Sequence, residues 1–149
     1  ILSGLVGSEM CIRDRRIAQP LDEWREHYLV FVLLRFQRDA HLVSRTQALA
    51  WLHAQSQSGS LRADALRDVG DGCLLIAGLF PGVAQRRRLN VDYFIELGRG
   101  AYAEVADTRC SDASLFAQLA GSYRELVRTL AALRSPRAWQ EGAHGILHA

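Results

Sequence analysis

Few side chains in this sequence can exchange protons, bind metal or attack an electrophile, and their spacing decides what they could do. Glu141, His144 and His148 come closest to a metal-ligand set, at spacings of three and four residues. On a helix, Glu-x-x-His puts both groups on one face; di-iron bundles use that motif twice, with two further inward glutamates. The chain carries no second copy, and in a tail with few apolar anchors these histidines read as solvated. Glu23 and His27 lie one turn apart, so a carboxylate could orient an imidazole for general-base work. An i,i+4 surface contact accounts for the same spacing. Cys73 follows Asp71 closely enough to sit near a helix N-terminus, where a thiol becomes more acidic. Its neighbours Leu74, Leu75 and Ile76 favour a packed, inert thiol instead. There is no Gly-x-Ser-x-Gly elbow, Walker loop or dinucleotide fingerprint. Accordingly no catalytic, cofactor-binding or metal-ligating residue is assigned, and no cofactor is expected.

Two polar groupings remain. Arg86, Arg87 and Arg88 follow Pro81-Gly82 in what reads as a turn, where they could meet phosphate or an acidic partner surface. Three arginines without interleaved aromatics are few for nucleic acid. The polar loop from Gln55 to Ser60 is also longer than a helix-turn-helix connection requires. Asp71, Asp92, Arg99 and Tyr102 could instead converge on a pocket between helices, as a small-molecule or enzymatic site. For Tyr93 and Tyr102 the plain alternative is a buried ring with its hydroxyl satisfied.

The elements that must position these groups are helices. Pro20 precedes Leu21-Asp22-Glu23-Trp24, a typical first turn. The helix it opens passes through Tyr28 to Leu34, apolar on every face, which predicts a place in the middle of a bundle. Ser44 caps a second helix, Arg45 to Ala54, with Ala48, Leu49 and Leu52 as its inner stripe. A third begins near Leu61 and is expected to break at Gly70-Asp71-Gly72, with Asp71 capping a new apolar helix, Cys73 to Phe80. Phe80-Pro81-Gly82 ends it. Asn90 caps a helix whose stripe is Val91, Phe94, Ile95, Gly98, Ala101, Tyr102 and Val105; the glycine on that stripe suggests tight packing. Asp112 or Ser114 opens the last, with the seam Phe116, Leu119, Tyr123, Leu126, Leu130 and Leu133 alternating by three and four. That seam suits a bundle, and it also offers a surface for a homodimer. Ser135-Pro136 closes it. The expectation is an all-α, single-domain antiparallel bundle of five to six helices over residues 16–135, followed by a tail at 136–149.

Composition agrees with that class. The chain has 149 residues, 49% hydrophobic and 23% charged, with a net charge of +2. These are ordinary globular values that argue against disorder. No apolar run reaches the ~20 residues needed to cross a bilayer. All eighteen basic residues are arginine; the absence of lysine fits a GC-rich genome better than phosphate recognition, which needs a basic face.

The string Leu5-Val6-Gly7-Ser8-Glu9-Met10-Cys11-Ile12-Arg13-Asp14-Arg15 resembles one reading frame of a transposase-type sequencing adapter. The resemblance implies that residues 1–15 are an artefact of a metagenomic fragment, expected to be disordered, and that Met10 is no start codon. The native N-terminus is then expected upstream. With Cys11 set aside, Cys73 and Cys110 stand in such different settings that reduced thiols in a cytoplasm are expected rather than a disulfide framework. Residues 70–102, with Gly70-Asp71, Leu75, Gly78, Phe80-Pro81, Asp92-Tyr93, Gly98 and Ala101-Tyr102, resemble a segment of uncharacterised helical proteins of bacteria. That resemblance implies an all-helical fold without assigned activity. The leading expectation is therefore a non-enzymatic, cytoplasmic protein-interaction or regulatory domain. The pocket around Asp71, Asp92, Arg99 and Tyr102 is the second reading, and nucleic acid at Arg86 to Arg88 the third.

Overall fold

The computed structural model describes residues 21–108 and 113–134. Among them are eight helices: α1 (Leu21–Arg38), α2 (His41–Ser44), α3 (Gln47–Gln55), α4 (Gly59–Gly78), α5 (Pro81–Arg86), α6 (Val91–Thr108), α7 (Ala113–Gly121) and α8 (Tyr123–Leu133). No strand occurs among the described residues, so the all-α class holds, with more helices than the sequence pattern suggests, α2 and α5 being short ones. The adapter-like residues 1–15, Asp112, Cys110 and the tail bearing Glu141, His144 and His148 lie outside the described residues.

The organising element is α4. From Val69 to Gly78 every residue is buried, and α3, α6 and α8 all pack against it, α6 most extensively. Three glycines explain how α4 comes so close to its neighbours. A Cβ on Gly70 would overlap the Tyr102 ring, one on Gly78 would reach within 2.9 Å of Leu130 Cδ1, and one on Gly72 would meet Gln47 at 2.7 Å. The same holds on α6, where a Cβ on Gly98 would collide with the Tyr123 hydroxyl and lie 2.8 Å from Cys73 Cβ. These contacts also set direction. Tyr102 meets Gly70 and Gly98 meets Cys73, so α6 runs antiparallel to α4. Tyr123 and Leu130 meet residues 70 and 78 in the same order, so α8 runs parallel to it.

The Gly70-Asp71-Gly72 break therefore does not occur. Both glycines have ordinary helical backbone and serve close packing, and Asp71 caps nothing. The break comes after Gly78, and Pro81, at the first turn of α5, starts a short helix where only an ending was expected. The α6 stripe is as read: Phe94, Ile95, Gly98, Ala101, Tyr102 and Val105 are buried, and Asn90 Oδ1 accepts the Asp92 N–H at 3.0 Å. The last seam also faces the core, but as two helices interrupted at Ser122. Phe116, Leu119, Tyr123, Leu126 and Leu130 are consumed inside the fold, so the seam is not available to a homodimer; of its members only Leu133 is exposed.

Two expectations about helix faces are reversed. Instead of lying in the middle, α1 lies across the outside. Tyr28, Leu29 and Val32 point inward, while Val30, Phe31 and Leu34 are 54%, 41% and 52% exposed. In α3, Thr46 and not Ser44 occupies the N-cap position. Its inner face is Gln47, Ala50, Trp51 and Ala54, leaving Leu49 and Leu52 64% and 56% exposed. Gln47 takes the inward position against Gly72, where its Nε2 donates to the Leu42 carbonyl at 2.5 Å.

Candidate functional site

The densest polar arrangement is built around Asp71, which is fully buried at the middle of α4. Oδ1 accepts two hydroxyls, from Tyr28 of α1 at 2.6 Å and Tyr102 of α6 at 2.5 Å. Oδ2 accepts from Nη1 of Arg35, two turns beyond Tyr28 on α1. The other arm of that guanidinium, Nη2, bonds Asp68 Oδ1 at 2.6 Å. One residue back on α4, the Gly70 carbonyl accepts the Tyr123 hydroxyl from α8 at 2.8 Å. The rings form an edge-to-face cluster: Tyr102 sits 5.9 Å from Tyr28, 5.4 Å from Tyr123 and 5.5 Å from Phe116. Two helices, α1 and α6, are thus tied to one carboxylate on α4, and α8 is tied to the backbone beside it.

Burial is the largest influence on Asp71 and raises its carboxyl above the ordinary range; bonds from Tyr102 and Tyr28 and the charge of Arg35 pull downward without cancelling it. Tyr28 and Tyr102 are pushed well above the usual phenol range, first by burial and then by Asp71. They remain protonated and act as donors. Desolvation would lower Arg35, but Asp68 and Asp71 outweigh it, so the guanidinium stays charged. Burial likewise pushes the Cys73 thiol far up, which removes it as a nucleophile at neutral pH.

Such an arrangement can lock helices together. Catalysis would need substrate beside the carboxylate, and Asp71 and Tyr102 are fully buried and line neither of two open grooves formed by described residues. One groove, about 580 Å³, lies between α3 and α4; Arg45, His53, Asp64 and Asp68 line it, with exposed Leu49 and Leu61. The other, about 450 Å³, lies between the end of α1, α2 and α5.

The four residues grouped by the pocket reading separate. Asp71 and Tyr102 are bonded in the core. Asp92 and Arg99 stand on the outer face of α6, where Arg99 pairs with Glu96 at 2.6 Å and Asp92 with Arg124 at 3.2 Å. Tyr93 is likewise exposed. His27 is exposed and sets its ring edge-on to Trp24 at 6.5 Å, while Glu23 is partly buried. The arginine turn also divides. Arg87 donates to the carbonyls of Ser44 at 2.7 Å, Arg45 at 3.0 Å and Val43 at 3.3 Å, closing the end of α2. Arg88 adopts a left-handed φ of 56°. Arg86 and Arg88 remain exposed, whereas Arg62 bonds Gln55 and Arg45 belongs to the other groove.

Sequence reading missed Tyr28 and Arg35 as partners of Asp71, Asp68 as the second partner of Arg35, and Tyr123 as the donor to the Gly70 carbonyl. The available signal was spacing: 28 and 35 share one face of α1, and 68 and 71 one face of α4. No group of three or more His, Cys, Asp or Glu among the described residues is placed to hold a metal, and no described helix is long and apolar enough to cross a membrane. No protein-family model, curated protein or solved structure matches the chain.

Proposed function

We propose that the chain is a helical protein-interaction module without a catalytic centre of its own, working in a bacterial cytoplasm. The observation that carries this reading is the row of leucines turned outward where α3 and α4 face each other. Leu49, Leu52 and Leu61 are 64%, 56% and 66% exposed, and two of them line the α3–α4 groove. Large apolar side chains gathered at a concave surface mark contact sites for other macromolecules. The Asp71 carboxylate, by contrast, is fully buried and engaged by three donors, which supports a structural role for it. The lysine-free basic set and the free Cys73 agree with a GC-rich, reducing cellular setting.

The test compares the full chain, immobilised, with a Leu49→Ser, Leu52→Ser, Leu61→Ser variant of matched helicity and melting temperature. A protein retained by the first and lost from the second, then rebound in purified form, is the expected result. Equal retention by both surfaces would count against the reading, as would any turnover that Asp71→Asn abolishes without unfolding the chain.

A further inference from the structure

The groove at the end of α1 differs in character from the one between α3 and α4. Its floor is the pair Phe36 and Phe80, ring centroids 5.1 Å apart, and its sides are Ala40, Val43 and Val83. The walls are fixed relative to each other because Arg87, at the C-cap of α5, holds three carbonyls of the α2 end. A slot built this way is preformed, so an incoming group does not have to order it. Its volume of about 450 Å³ suits one or two large side chains. It is open along its length, which fits a segment lying across it better than an enclosed small molecule.

The rim is basic. Arg86 lines the slot and is exposed, its Nη1 near Gly82; Arg88 follows it in the turn, and Arg38 is exposed two residues after Phe36. Asp39 is the nearby acid in sequence, and its Oδ1 is occupied with the His41 N–H at 3.0 Å. An apolar floor between arginines has a definite complement: an aromatic or leucine anchor flanked by carboxylates.

We infer that the Phe36–Phe80 slot is a docking site for an acidic amphipathic segment of a partner protein. One bulky apolar side chain enters between Val43 and Val83, and flanking Glu or Asp side chains meet Arg86, beside which the Arg87 guanidinium adds positive charge. This is the helix-in-groove mode of recognition with a charged rim. It rests on the reading of the chain as an interaction module but uses a surface separate from the α3–α4 leucines, so the two can fail independently.

The probe is a synthetic helical peptide with a central tryptophan and flanking glutamates, fluorescein-labelled and titrated into the full chain by anisotropy. Micromolar binding is expected, weakening as salt rises. Arg86→Glu and a Gln-for-Glu peptide should each weaken it roughly tenfold, and a Trp-to-Ala peptide should abolish it. Ala40→Trp, at an exposed position on the slot edge, should block binding while circular dichroism and melting stay as in the parent. The proposal is overturned if the peptide does not bind, or if it binds Arg86→Glu and Ala40→Trp as well as the parent. It is also overturned if dodecanoate or a short DNA duplex occupies the slot in preference to the peptide. A gain in peptide binding on deleting residues 135–149, still lost in Ala40→Trp, would support the same site, with the chain's own tail as its competitor.

Discussion

Replacing Asp71 by Asn keeps the shape of the central side chain and removes its charge, so its consequences can be worked from the geometry. Asn Oδ1 can still accept both tyrosine hydroxyls, which reach the same oxygen in the parent at 2.6 and 2.5 Å. The amide nitrogen, however, would stand where Oδ2 receives Arg35, setting donor against donor. A charge-assisted bond of this kind contributes about 1.5–3 kcal/mol. Arg35 is not left bare: it keeps Asp68, and its side chain is 22% exposed, so water recovers part of the loss. The substitution also removes the cost of burying an ionised carboxylate, which is large enough to raise the Asp71 pKa despite three donors. The net loss at neutral pH is therefore about 1–3 kcal/mol, below the ~3–5 kcal/mol usual when one member of a buried ion pair is deleted. The pH dependence has a definite sign. A carboxyl whose folded pKa lies above its unfolded value contributes stability that is fully present below the unfolded value, and loses it as pH rises through the folded one. Urea melts of both proteins at a series of pH values should show the parent's advantage over Asp71→Asn greatest in acid and shrinking toward neutrality. An advantage that grows with pH would refute the reasoning, because it would mean that the site favours the ionised form.

Three further outcomes can be checked by similar means. Gly98→Ala must displace the Tyr123 hydroxyl and should cost about 2 kcal/mol net, whereas Gly100→Ala, with open space around it, should gain up to about 1 kcal/mol; melts giving both the same sign would contradict the packing account. Arg87→Ala should cost about 1–2 kcal/mol by freeing three carbonyls, with Arg87→Lys recovering only part, since an ammonium lacks the fork. Cys73 should resist iodoacetamide in the native chain and react fully in denaturant, as followed by mass spectrometry; rapid native labelling would show that the α4–α6 seam opens.

How much of this the sequence carries depends on contrast between faces. In α6 and in the Phe116 to Leu130 seam, polar and apolar residues alternate cleanly at helical spacing, and both are placed as their pattern implies. Between Tyr28 and Leu34 there is no contrast, so the pattern cannot say which side turns inward. In α3 the contrast misleads, because the inner face is made of alanines, a tryptophan and a bonded glutamine while leucines face out. Glycine at 70 and 72 suggests a break only when the approaching Tyr102 and Gln47 are unknown. The polar centre divides in the same way. Asp71 and Tyr102 can be singled out as unusual residues, but their pairing spans 31 positions and that of Arg35 with Asp71 spans 36. Local periodicity holds no information about such distances.

The burial of Val69–Gly78 of α4 on every side has a consequence for how the chain is made. Its contacts reach from Tyr28 to Leu130, so the stretch Gly70–Gly78 finds its last neighbours only when nearly all the described chain exists. Synthesis proceeds from the N-terminus at roughly 10 residues per second, which leaves an apolar, glycine-notched helix without α8 for about 5 s. During that interval α1 and α3 can cover only part of it. Fragments ending before α8 should accordingly aggregate or be degraded rather than fold, because the apolar face that α8 covers stays open in them.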